Sequence, residues 1–149
     1  MKTHDYYMKK AIDEAVKAYD INEVPIGAVI VKETKIVGRG YNMTRSLNDA
    51  TAHAEMIAIT AACETLETDH LSDCILYVTV EPCSMCTGAM LNSKIKKVVF
   101  GAYELKYGAC GSVVNLAENT KLNHQIEVLD GVMEADCSSL MSLFFKEKR

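Results

Sequence analysis

No stretch of this chain approaches the roughly 20 consecutive apolar residues that a helix needs to cross a bilayer, so no membrane partner is expected. The N-terminal run from Met1 to Tyr7 also lacks the apolar core of a secretory signal. A cytoplasmic location is therefore the expectation. Internal repeats, linkers and low-complexity tracts are missing too, which excludes an array or a string of tethered modules. Excess positive charge is absent: the formal net charge is −4, which argues against a nonspecific nucleic-acid coat. Proline is scarce, with only two residues. Pro25, in Val24-Pro-Ile-Gly27, breaks one helix, and Pro82 stands where another is expected to begin.

What is present fits a folded domain. The chain has 149 residues, of which 49% are apolar and 24% charged, enough to bury a core. One domain over residues 1–149 is the expectation. Six cysteines would suit disulfides in a small secreted protein, but this chain is neither small nor evidently exported. Cys63, Cys74 and Cys137 stand among small or apolar neighbours and read as buried hydrophobes. Cys110, in the glycine-rich Gly108-Ala-Cys-Gly111, is expected to be more exposed. Basic residues gather at Lys94, Lys96 and Lys97, then Lys106, then Lys146, Lys148 and Arg149. These are either solvated faces or a local basic surface for phosphates.

Periodicity organises the chain as alternating helices and strands. Apolar side chains at Met8, Ile12, Ala15, Val16 and Tyr19 predict a helix over residues 6–20. Ala28 to Val31 and Ile36 to Tyr41 predict two strands joined near Glu33-Thr34 as a hairpin. Asn42 to Asn48 is a polar loop, and Thr51 is the expected N-cap of a helix reaching Leu66. Ile75 to Val80, nearly continuous in apolar character, predicts a central strand covered on both faces. A short helix over Cys83 to Asn92, strands at 97–101 and 126–129, and a closing helix from Met133 to Lys146 follow. The pattern predicts an α/β domain built on a mixed five-stranded sheet.

Two short motifs carry chemistry. Thr51-Ala-His53-Ala-Glu55 offers one imidazole and one carboxylate; Glu81-Pro82-Cys83-Ser-Met-Cys86 offers two thiols. A catalytic zinc ion takes three protein ligands and keeps its fourth position for water. His53, Cys83 and Cys86 are the expected ligands, leaving Glu55 to move protons. The spacing of the two cysteines, at a helix N-terminus whose dipole favours anions, suits thiolates. His53 and Glu55 do not share a helical face, so they must reach one pocket from two directions. Each piece alone has a plainer reading: a redox pair, half of a structural zinc site, a core histidine, a dipole partner. A fourth ligand from Cys74 or Cys110 would make the site structural. Together the pieces match the pattern of zinc deaminases that act on nucleobases.

At these residues the chain resembles the cytidine deaminase-like superfamily, and within it the tRNA-specific adenosine deaminases. The likeness extends through Asn22-Glu-Val-Pro-Ile-Gly-Ala-Val29, Gly40-Tyr-Asn42, Val98-Val-Phe-Gly-Ala102, Gly108-Ala-Cys-Gly-Ser112 and Leu122-Asn-His124. The resemblance implies a three-layer α/β/α fold, one Zn2+ per subunit, and a homodimer that holds a tRNA anticodon loop. It implies hydrolytic conversion of the wobble adenosine to inosine. By the same resemblance, Asn42 and the Ala54 backbone would hold the flipped nucleotide. Val24, Pro25 and Pro82 would wall its pocket. Glu104, Lys106, Asn123, Phe144 and Phe145 would meet flanking nucleotides. Asn42 also reads as a turn residue, and Phe144-Phe145 as core packing. The chain departs from the resembled pattern at Glu104, where aspartate is usual, and in the apolar Tyr103, Leu105 and Tyr107 around it. A free nucleobase or nucleoside deaminase of guanine or cytosine type, and a nonenzymatic zinc-bearing subunit, are the competing readings.

Overall fold

The computed structural model describes residues 2–148; Met1 and Arg149, the last of the basic C-terminal run, lie outside the described residues. The first helix, α1 (His4–Asp20), begins where Thr3 Oγ1 accepts a hydrogen bond from the Tyr6 backbone N–H at 3.2 Å. It buries Tyr7, Met8, Ala11, Ala15 and Ala18 on one stripe. Strands β1 (Gly27–Lys32) and β2 (Lys35–Tyr41) pair antiparallel around Glu33-Thr34, with Lys32 opposite Lys35. Helix α2 (Ala54–Leu66), strand β3 (Cys74–Val80), helix α3 (Ser84–Asn92) and strand β4 (Lys97–Ala102) follow. The chain then runs through a long loop to β5 (Glu127–Leu129) and α4 (Glu134–Glu147).

The strands form one sheet in the order β2-β1-β3-β4-β5. Pairing is antiparallel between β1 and its two neighbours and parallel from β3 through β5, so the expected mixed five-stranded sheet is present. Alternate side chains leave opposite faces of a strand. Ile30, Leu76, Val78, Val98 and Phe100 join Ala54, Ala58, Ala62 of α2 and Met90 of α3 in one core. Val29, Val31, Tyr77 and Val99 join Tyr7, Met8 and Ala11 of α1 and Cys137 of α4 in another. Two helical layers thus sandwich the sheet. Among the described residues no helix is long and apolar enough to cross a membrane.

The register decides where a site can form. Gly27 opens β1 opposite Tyr41, which closes β2, and Ala28 pairs with Val78 near the end of β3. The segments carrying Val24, Asn42 and Glu81 therefore emerge at one end of the sheet. Helix α2 is pressed against β2 there: a Cβ at Gly40 would collide with the Ala54 carbonyl oxygen and stand 2.8 Å from the Ala58 nitrogen.

Several boundaries differ from the sequence expectation. Thr51 does not cap α2; its hydroxyl and N–H both donate to Asp49 Oδ1, and His53 is the N-cap. Cys83 is likewise the N-cap of α3, so Pro82 lies before the cap rather than at the first helical position. Strand β5 is only three residues long. Cys110 is buried, at 5% exposure, because its loop folds back onto the segment before α3. Cys74 and Cys137 are buried as expected, Cys63 is half-buried, and all six cysteines are free thiols.

Candidate metal and nucleobase site

His53 and Cys83 occupy equivalent positions on two different helices. Each is an N-cap with extended backbone, φ/ψ −75/154 and −76/177, and neither side chain caps its own helix. Their side chains are therefore turned away from the helices and towards each other. This removes the difficulty of the His53-Ala-Glu55 spacing: His53 precedes the helix, whereas Glu55 lies in its first turn. Cys86, one turn into α3, is fully buried beneath them.

The imidazole presents Nδ1 to both sulfurs, 3.7 Å from Cys83 Sγ and 3.5 Å from Cys86 Sγ. A tetrahedral zinc centre with Zn–N of about 2.05 Å and Zn–S of about 2.3 Å places nitrogen and sulfur about 3.6 Å apart. The protein holds that spacing in its own side chains, and all three donor atoms lie within 4.8 Å of one another. Among the described residues this is the one such group, and neither Cys74 nor Cys110 joins it. Three ligands leave an open position, as catalytic rather than structural zinc requires.

Protonation is strongly redistributed here. The Cys83 thiol is pulled down to about 4, chiefly by a hydrogen bond from Cys86, against burial and with help from His53. Cys86, as the donor of that bond and deeply buried, is pushed up. His53 is raised, chiefly by its hydrogen bond with Cys83. A metal ion that takes these donors must displace their protons. Burial pushes Glu55 up to about 7, with its own backbone N–H and then His53 pulling the other way. A carboxyl poised near neutrality suits proton transfer in both directions.

A cavity of about 550 Å³ opens onto this group, within the range that takes a small molecule. His53, Glu55 and Cys83 line it together with Val24, Ile26, Asn42 and Ala54 and with Glu104 and Tyr107. Residues 1–102 match the model of the cytidine and deoxycytidylate deaminase zinc-binding region. The chain belongs to this zinc-dependent deaminase family.

It is 46% identical to the tRNA-specific adenosine deaminase of Bacillus subtilis (strain 168), over 100% of this chain and 92% of that one. A solved structure from work on A-to-I editing by tRNA:A34 deaminases at the wobble position of transfer RNA superimposes with a TM-score of 0.87. It is 39% identical and covers 91% of this chain and 98% of its own. Guanine deaminase from Bacillus subtilis is more distant in shape, at a TM-score of 0.65 and 33% identity, covering 82% and 88%. Zinc, one ion per subunit, is the cofactor that the family and the donor set both specify.

The remaining residues singled out in the sequence divide sharply. Val24, Asn42, Ala54 and Glu104 line the deaminase cavity. Asn42 is also a turn residue: its amide donates to the Val24 carbonyl and accepts from the Thr44 N–H, each at 3.2 Å. Pro25 and Pro82 are buried but do not line the cavity. Pro82 instead offers its carbonyl to the Ala109 N–H at 2.9 Å. Lys106, Asn123 and Phe145 are exposed and outside the cavity.

Phe144 takes the core-packing position that its sequence also allowed. It is 1% exposed and packed edge-on against Tyr19 and Phe145. Lys97 is engaged as well, with its ammonium 3.0 Å from Glu127, which thins the basic cluster. Around Glu104, Tyr103 packs on Phe100 and donates to Asp130, while Leu105 and Tyr107 stay 79% and 71% exposed. Glu81 enters the sequence pattern only as the residue before Pro82-Cys83, yet its carboxylate is buried at the cavity lining. A charged residue between an apolar strand and Pro82-Cys83 was the available signal.

Proposed function

We propose that this chain hydrolytically deaminates the wobble adenosine of tRNA to inosine, releasing ammonia. The observation that carries the reading is the triad of His53 Nδ1, Cys83 Sγ and Cys86 Sγ at a cavity whose lining includes buried Glu55. Full-length similarity to tRNA-specific adenosine deaminases supports the choice of substrate.

His53, Cys83 and Cys86 hold zinc in this reading, and zinc when bound supplies an acidified water as the nucleophile. Glu55 accepts the proton given up by that water. It would pass that proton to the ring nitrogen, then take the proton of the hydroxyl newly added to the ring carbon and hand it to the departing amine as the carbonyl forms, so that water in and ammonia out balance. Asn42 has amide hydrogen-bonding capacity beyond its two partners. The Ala54 N–H, in the first turn of α2, has no partner four residues back within its own helix. In this reading both orient the nucleotide, with Val24 and Ile26 among the apolar lining. The reactive ring carbon of a stacked base is inaccessible, so the nucleotide must be flipped into the cavity. Glu104, Lys106, Asn123 and Phe145 then face flanking nucleotides. One deaminase domain over residues 1–149, a homodimer and a cytoplasmic location complete the reading, as a tRNA substrate calls for.

The second reading is a free-base deaminase of guanine or cytosine type. The observation favouring it is the cavity wall, which among the described residues contains no Lys or Arg and so makes no demand for phosphate. Ammonia release separates the two. The purified zinc protein is offered an anticodon stem-loop with adenosine at the wobble position, or free guanine, cytosine or adenosine. Release from the stem-loop alone supports the proposal; release from a free base alone reverses it.

A further inference from the structure

The loop that supplies Glu104 and Tyr107 to the cavity lining converges on one buried carboxylate. Glu81, 3% exposed, sits between β3 and Pro82-Cys83. Its Oε1 accepts from the Glu104 N–H at 3.2 Å and from the Ser112 hydroxyl; its Oε2 accepts from the N–H groups of Cys110 at 3.1 Å and Ser112 at 3.0 Å. Four donors from residues 104–112 therefore converge on one side chain. The approach is so close that a Cβ at Gly108 would stand 2.5 Å from Glu81 Oε2 and collide with the Glu104 carbonyl oxygen. Backbone bonds reinforce the docking: Ala109 N–H donates to the Pro82 carbonyl, and Cys83 bridges Gly108.

The loop so held carries Glu104 and Tyr107 into the cavity wall, while Glu81 stands two residues before Cys83. We infer that Glu81 is a positioning residue, which locks the 104–112 loop to the metal-ligand segment and thereby sets affinity for the flanking part of the substrate. This rests on the deaminase reading above. A carboxylate is needed because it alone accepts at both oxygens; an amide of the same shape turns one acceptor into a donor. In Glu81→Gln, two of the four donors then face an N–H group, and buried unpaired groups release the loop. The reacting atoms lie with His53, Cys83, Cys86 and Glu55, which the loop does not carry.

The test measures kcat and KM on an anticodon stem-loop with wobble adenosine, with zinc content determined for each protein. Glu81→Gln should raise KM about 10-fold while kcat changes less than about 2-fold, the signature of lost binding rather than lost chemistry. Zinc should remain at one per chain. Binding of the same stem-loop by a Glu55→Gln protein, with and without Glu81→Gln, should weaken in parallel. Ser112→Ala removes one of the four donors and should move KM the same way, by less; it decides the matter should Glu81→Gln fail to fold. An unchanged KM, or a fall in kcat at constant KM, overturns the inference. A wild-type protein that ignores the stem-loop overturns the deaminase reading on tRNA instead, so the two failures are distinguishable.

Discussion

His53 Nδ1 stands 3.5 Å from Cys86 Sγ although 33 positions separate the two residues in the chain. Two helices meet with their N-termini facing one point, so that donors from two separate segments converge there. Removing one donor should therefore cost more than the roughly 10–100-fold in metal affinity typical of losing an outer-shell partner. Cys86→Ala, dialysed against a chelator and assayed for metal, should retain little zinc where the wild type keeps one per chain. Zinc retained at the wild-type level would show that Cys86 is not a ligand.

Glu55 touches the same site without belonging to the metal-binding group. Glu55→Gln preserves its shape and removes its ability to take a proton. Turnover should fall by about 10²–10⁴-fold, the usual worth of a general acid–base group, at unchanged zinc content. Near wild-type kcat would remove Glu55 from the proton path.

Much of this was legible in the residues, and the exceptions have physical causes. Helical periodicity in α1 and the apolar run of β3 reported burial directly, so the layered sheet followed. The donor set was legible because few other uses join one histidine to a Cys-x-x-Cys pair. What spacing could not reveal was the turn at each helix start. His53 and Glu55 converge because His53 is extended outside α2, a matter of one residue at a helix boundary. Glu81 was invisible as a hub because its partners lie more than 20 positions away. Phe144 and Phe145 looked equivalent in sequence, but helix geometry turns one inward and the other out.

That difference is measurable. Phe144→Ala should cost about 3–5 kcal/mol of stability, as truncation of a buried aromatic does, and show as a lower Tm. Phe145, 46% exposed, should leave Tm nearly unchanged when replaced by alanine. If it stacks on a flanking base, Phe145→Ala weakens stem-loop binding by about 1–3 kcal/mol. Equal Tm losses for both variants would contradict the assigned burial.

Gly40 lets α2 lie directly on β2, where any Cβ would strike the Ala54 carbonyl. Gly40→Ala should destabilise the fold by at least about 1–3 kcal/mol, the range for overpacking. Because Ala54 adjoins His53, zinc affinity should fall with it. Denaturant melts and metal titration would read both; a neutral result would mean that the helix moves aside freely.

Glu23 supplies a pH dependence. Its buried carboxylate accepts from the N–H groups of Arg45 and Ser46 and from the Ser46 hydroxyl. Burial pushes its pKa up, but the bonds from Ser46 and Arg45 prevail and hold it below the ordinary 4.5. A carboxyl with a lower pKa in the folded state contributes stability in full above its unfolded value, and loses it as pH falls through the folded one. Wild-type Tm should therefore drop more steeply than that of Glu23→Gln as pH goes from about 5 to about 3. Parallel Tm curves would exclude the contribution.

The central claim, that zinc ligands and Glu55 act on a wobble adenosine, is tested most directly by sequencing product RNA. A tRNA transcript with adenosine at the wobble position is incubated with wild-type protein or Glu55→Gln. The account predicts that the wobble position reads as guanosine after reverse transcription with wild type and as adenosine with the variant. Unchanged adenosine with wild type, in a preparation that carries zinc and releases ammonia from free guanine or cytosine, would contradict it.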